Sequence, residues 1–152
     1  MRKVFVTLCL MLMVASSAMA QTKTWKVVES GWGRIDWGWK QLNPGGAASD
    51  MAIDEMNIHR WKKTPGTLTV DFGKNTAELE LSRKKSKSFN LLTESQTFKS
   101  RDGWTYVEHL AADTSNASCR FWLCENPDGF QRLLVIYPRA RSVYGYMLVP
   151  SE

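Results

Sequence analysis

Trp37 and Trp39 stand two residues apart, and on a strand that spacing puts both indoles on one face. Two such rings side by side can stack on a sugar or wall an apolar ligand cavity. They can equally be core, because tryptophan buries a large area wherever it is enclosed. Four of the seven tryptophans (Trp25, Trp32, Trp37 and Trp39) fall within one short stretch, with Gly31, Gly33 and Gly38 among them. Glycines there mark bends or close backbone approach.

Cys119 and Cys124 are the second pair of residues that can do chemistry. Their C-x₄-C spacing is not the C-x-x-C of a redox motif. On a regular strand five residues separate the Cα atoms by roughly 16 Å, well beyond the ~7 Å that a disulfide tolerates. A bridge therefore needs a bend near Phe121-Trp122, while an oxidising compartment favours one; both outcomes stand open. His59 and His109 are the only histidines, too few with two cysteines to form a metal-ligand cluster. Neither G-x-S-x-G nor H-E-x-x-H occurs. The expectation is a protein without catalytic residues, metal or cofactor. Asn116-Ala117-Ser118 fits an N-glycosylation acceptor. The basic run Arg83-Lys84-Lys85-Ser86-Lys87 can touch phosphate or anionic lipid, although a charged hairpin loop has the same composition.

The chain has 152 residues, with 20 Lys+Arg against 15 Asp+Glu. Its first 20 residues read as a cleaved secretory signal. Arg2 and Lys3 precede an apolar run from Val4 to Val14, and Ala18-Met19-Ala20 has the A-x-A cleavage form. Losing Arg2 and Lys3 lowers the formal charge from +5 to +3, which argues against nucleic-acid binding. Beyond the signal no apolar run is long enough for a transmembrane helix. The expected product is exported, periplasmic or secreted, and residues 21–152 fit a single domain.

The elements that must position these residues are strands. Leu68, Val70 and Phe72 alternate with Thr67, Thr69 and Asp71. After a Gly73-Lys74-Asn75 turn, Ala77, Leu79 and Leu81 alternate with Thr76, Glu78 and Glu80. Period two with one apolar face predicts half-buried antiparallel strands. Further strands are predicted over 24–30, 35–42, 88–92, 94–98, 104–111, 117–125, 130–137 and 142–149. Gly31-Trp32-Gly33 is expected to break or bend the first. Residues 49–58 can form one short helix, or a strand over 56–61. Asn126-Pro127-Asp128-Gly129 is the strongest turn. Leu133-Leu134-Val135-Ile136 predicts a strand covered on both faces. Eight to ten strands joined by short turns form an antiparallel meander, and closure into a barrel removes its edges. A β-sandwich is the alternative.

Thr24-Trp25-Lys26-Val27-Val28-Glu29-Ser30 resembles the first strand of intracellular fatty-acid-binding proteins and, more loosely, of lipocalins. The resemblance implies a ligand-binding calycin-like β-barrel, and the strand layout and length after signal removal are similar too. The helix pair that follows the first strand in fatty-acid-binding proteins has a poor counterpart in residues 31–46. Their Arg-x-Tyr ligand pair has none: Arg141 and Tyr144 are three apart and leave a strand on opposite faces. No functional residue is carried over, and export leaves the lipocalin-like comparison.

The reading is thus an exported, non-catalytic, lipocalin-like barrel that binds a small apolar or amphipathic ligand. Its cavity is expected to be lined by Trp37, Trp39, Leu79, Leu81, Trp104 and Tyr106, with Arg139 or Arg141 near one end. The alternatives are a carbohydrate-binding β-sandwich that presents tryptophans to a glycan, and a structural or protein-interaction module with a filled core.

Overall fold

The computed structural model describes residues 21–35, 58–82, 85–100 and 103–151. The signal segment, Trp37, Trp39 and residues 49–57 lie outside them. Within them every regular element is a strand: β1 (Thr22–Arg34), β2 (Ile58–Asp71), β3 (Thr76–Leu81), β4 (Lys85–Leu91), β5 (Gln96–Lys99), β6 (Thr105–Asp113), β7 (Ser118–Glu125), β8 (Gln131–Tyr137) and β9 (Ser142–Pro150). All pairings are antiparallel, in the order β4-β3-β2-β1-β9-β8-β7-β6-β5, and β4 also pairs with β6. That last pairing joins the two ends of the sheet. Eight strands close into a barrel, and β5 lies beside the first half of β6, in line with β4.

Local chemistry accounts for the turns. Gly129 takes φ +84°, its N–H donates to the Asn126 carbonyl, and Phe130 N–H donates to Asn126 Oδ1 at 2.7 Å. Gly103 has φ +88° at the turn before β6. Asp71 Oδ1 accepts from the backbone of Gly73 and Lys74 between β2 and β3, and Asp113 Oδ1 does the same for Ser115 and Ala117 after β6.

Gly31-Trp32-Gly33 does not break β1, which runs through to Arg34. The glycines serve packing instead. A β-carbon on Gly31 or on its partner Gly145 would stand 2.8 Å from the Trp61 ring, so the indole lies flat in a slot that only two glycines leave open. β2 reaches it through a bulge at which Arg60 adopts φ +58°.

Two apolar cores result. The first fills the barrel: Leu68, Val70, Leu79, Phe89, Phe121, Leu133 and Val135 are all essentially inaccessible, and the rings of Phe89 and Phe121 meet edge to face at 5.4 Å. The second lies outside, against β6–β9, and contains Ile35, Trp104, Tyr106, Trp122, Leu134, Ile136 and Val143. Leu133 and Val135 thus enter one core while Leu134 and Ile136 enter the other, the two-sided cover expected of that run. On this outer face Phe98, Tyr106 and Trp122 stack at 5.5 and 4.6 Å. Arg132 lies 4.7 Å from the Trp104 ring and 5.8 Å from that of Trp61. Glu108 is buried beside them. It accepts from Arg120 Nη1 at 3.0 Å and from Trp122 Nε1 at 2.7 Å.

Removing one member of a buried ion pair leaves the other charge uncompensated. A Glu108→Leu variant is expected to lose ~3 kcal/mol of stability, read as a lower urea midpoint at unchanged slope. An unchanged midpoint would show that Arg120 and Trp122 need no carboxylate.

Candidate functional site

One end of the barrel is open. It is bounded by the start of β1, the β2–β3 turn, the approach from β5 to β6, and the β7–β8 turn. Because side chains alternate along each strand, Trp25 of β1, Val107 of β6, Leu123 of β7 and Leu148 of β9 all point inward here. With Phe72, just past β2, they form the apolar floor of a cavity of about 620 Å³. Lys23 and Lys99 line its rim, and both are exposed.

A chain of polar contacts fixes one side. Trp25 Nε1 donates to Gln131 Oε1 at 2.9 Å, and Gln131 Nε2 donates to Glu125 Oε2 at 2.8 Å. An indole only donates and a carboxylate only accepts, so both ends impose the same orientation on the amide. Trp25 is thereby held against the floor with its N–H occupied, which leaves the ring face as its contribution to the cavity.

The opposite end carries a cluster of aromatic and charged groups. Tyr137 donates to Asp113 Oδ2 at 2.8 Å, its ring meets that of Tyr144 edge to face at 5.9 Å, and the Lys87 ammonium sits 4.6 Å over Tyr144. Burial pushes Asp113 toward protonation. Hydrogen bonds from Ala117, Tyr137 and Ser115, with Lys87 nearby, outweigh that and hold its carboxyl below the ordinary range. Burial, and then the hydrogen bond to Asp113, raise the Tyr137 phenol.

The residues expected to line a cavity are dispersed. Leu79 is fully buried in the inner core and Leu81 is half-buried beside it. Trp104 and Tyr106 belong to the outer core, on the far side of the wall. Arg139 and Arg141 flank an outer recess of about 630 Å³ near Ile35 and Leu110; Arg141 is in the turn before β9, at φ +49°. Trp37 and Trp39 fall outside the described residues. Of the tryptophans singled out, Trp25 lines the open mouth. Lys23, Phe72, Lys99 and Gln131 carry no local signal of a site, because they converge only when the barrel closes.

Cys119 and Cys124 are both free and buried, with Cys119 in the inner core and Cys124 in the outer one. β7 is straight enough to send them to opposite faces, so no bridge forms. Burial, and after it the Asp113 charge, raise the Cys119 thiol to about 12; burial also raises Cys124. Among the described residues no His/Cys/Asp/Glu group has metal-ligand geometry.

The depressed Asp113 carboxyl contributes stability above its ordinary value of 3.8, and that contribution is lost as the pH falls through its lower folded value. Tyr137→Phe is expected to cost ~1 kcal/mol at neutral pH. The gap from the parent should narrow on acidification below 3.8. Equal stability at neutral pH, by denaturant titration, would contradict the bond's contribution.

No known protein family, curated protein or solved structure matches this chain, so the chemistry of the mouth rests on its own residues.

Proposed function

We propose that the protein is an exported, non-catalytic, lipocalin-like barrel that takes a small amphipathic anion at its open mouth. The observation that carries this reading is the cavity itself, with an apolar floor of Trp25, Phe72, Val107, Leu123 and Leu148 beneath the ammonium groups of Lys23 and Lys99. Concave, mostly apolar sites with a few placed polar groups are where small ligands bind, and the mouths of barrels are a common location. Apolar burial contributes affinity, and the two lysines, set against the Glu125 carboxylate that also lines the cavity and accepts from Gln131, favour a carboxylate, sulfate or phosphate at the rim. The filled inner core excludes a long ligand running the length of the barrel, which restricts the guest to a short or medium chain or a compact ring.

Export accords with the signal-like first segment. Phe72 N–H donates to the Gln21 carbonyl at 2.8 Å. Cleavage after Ala20 spares that bond; cleavage further on removes it.

A second reading, a protein-interaction module, draws on the opposite side of the wall. Val28, Phe130 and Val149 are about half exposed and line one shallow groove. Self-association detected by light scattering at micromolar concentration, without any response to ligand, would favour it.

Titration with decanoate is expected to change tryptophan emission saturably, and decyltrimethylammonium should bind more weakly. A Lys23→Glu, Lys99→Glu double variant should weaken decanoate binding by roughly fivefold, as expected for two exposed charges, and added salt should do the same to the parent. No saturable change with decanoate would sink the proposal.

A further inference from the structure

We infer that His109 is the inner contact of the mouth cavity, and that it receives a hydroxyl carried at the far end of the ligand from its anionic group. This rests on the amphipathic-anion reading above. His109 is the next inward-facing residue of β6 after Val107, which lines the cavity. Its ring centroid lies 6.3 Å from that of Phe72, another cavity residue. The imidazole therefore sits immediately behind the cavity wall.

Its hydrogen bonding is one-sided. Nδ1 is 3.2 Å from the Thr93 carbonyl oxygen. A carbonyl only accepts, so Nδ1 carries hydrogen, and in the neutral form of an imidazole so bonded the lone pair is at Nε2. His109 is 4 % exposed, and Nε2 is buried with no hydrogen-bond partner among the described residues. Buried polar atoms in folded proteins are nearly always satisfied. An open acceptor behind an apolar pocket is thus a place for a donor from the guest. The surroundings select a neutral donor: Phe72, Val107, Ala111 and the cross-strand partner Phe121 are apolar, and a cationic donor there would lose its hydration without a counter-charge.

The register sets the ligand's length. Lys99 pairs with Thr105, and His109 lies four residues further along β6. At ~3.4 Å per residue the two levels are about 14 Å apart, a span suited to a medium-chain acid with a terminal hydroxyl.

The test compares decanoate with ω-hydroxydecanoate by calorimetry on the full barrel. The parent should bind the hydroxy acid about tenfold more tightly, the factor expected of one hydrogen bond to a buried acceptor. His109→Leu should lose the preference, and His109→Gln, which offers an amide oxygen, should retain part of it. In the parent, the ¹⁵N resonance of Nε2 should move with ω-hydroxydecanoate and stay with decanoate, a readout that needs no variant to fold. Equal affinity of the parent for both acids, an unmoved Nε2 resonance, or a preference that survives in folded His109→Leu would overturn the role of His109 and leave the amphipathic-anion reading standing. Binding of decanoate alone would likewise overturn only the role of His109, and failure of both acids to bind would overturn both readings.

Discussion

Closure of the barrel depends on three residue pairs between β4 and β6: Phe89 with Asp113, Asn90 with Ala112, and Leu91 with Ala111. Without them the sheet would be an open meander with two unpaired borders and a half-exposed inner core. β6 shares one edge between β4 and β5. From Leu91 to Gln96 the chain takes five steps, while β6 takes three from Ala111 to Glu108. The two surplus residues form an excursion pinned by Leu92 N–H to the Leu110 carbonyl and by Leu110 N–H to Thr93 Oγ1. A bulge of this kind redirects a strand. Here it carries β5 onward past the last β3–β4 pair, Thr76 with Asn90, and the mouth opens beside it.

The wall is chemically asymmetric. Over β2–β4 the outward residues are Thr67, Thr69, Glu78, Glu80, Ser86 and Ser88, none of them buried. Over β6–β9 Trp122, Leu134, Ile136 and Val143 point outward and are fully buried, while Leu110 and Val149 on the same face stay exposed. Such a stretch must be packed on both sides, and the Glu108–Arg120–Trp122 contacts supply direction within an otherwise apolar layer. Buried polar networks can specify geometry even where their net contribution to stability is small.

Most of this architecture can be read from the chain where one face of a strand differs sharply from the other. Leu79 and Leu81 against Glu78 and Glu80 leave one register for β3, and the Asn126-Pro127-Asp128-Gly129 turn fixes where β7 ends. The reading fails where that contrast fades. Tyr106 and Glu108 point one way, Val107 and His109 the other, and each set joins an apolar with a polar residue, so alternation alone cannot say which faces the interior. The first half of β2 is legible only at its start, where the alternative strand over 56–61 overlaps it at 58–61; beyond that, Lys62-Lys63 is basic, and Pro65-Gly66 resembles a terminator. In the fold Pro65 sits in the register shift between the pairs Val27–Gly66 and Glu29–Lys63, a position where its missing N–H is tolerated, and its carbonyl still accepts from Ser82. The mouth has no local signature at all, because Lys23 and Lys99 belong to strands that meet only through the closed sheet.

Among the described residues, β5, residues 58–65 of β2 and residues 85–88 of β4 are segments that pair on one side alone. Each is a place where a foreign strand could dock and seed a fibril. Lys99 ends the first, and Lys62, Lys63 and Pro65 interrupt the second. Ammonium groups repel a like copy and proline withholds a donor, two devices that natural sheets use against polymerisation. The same lysines that make this chain look mildly basic therefore also act as insulation, and their neutralisation would threaten solubility before it threatened the fold.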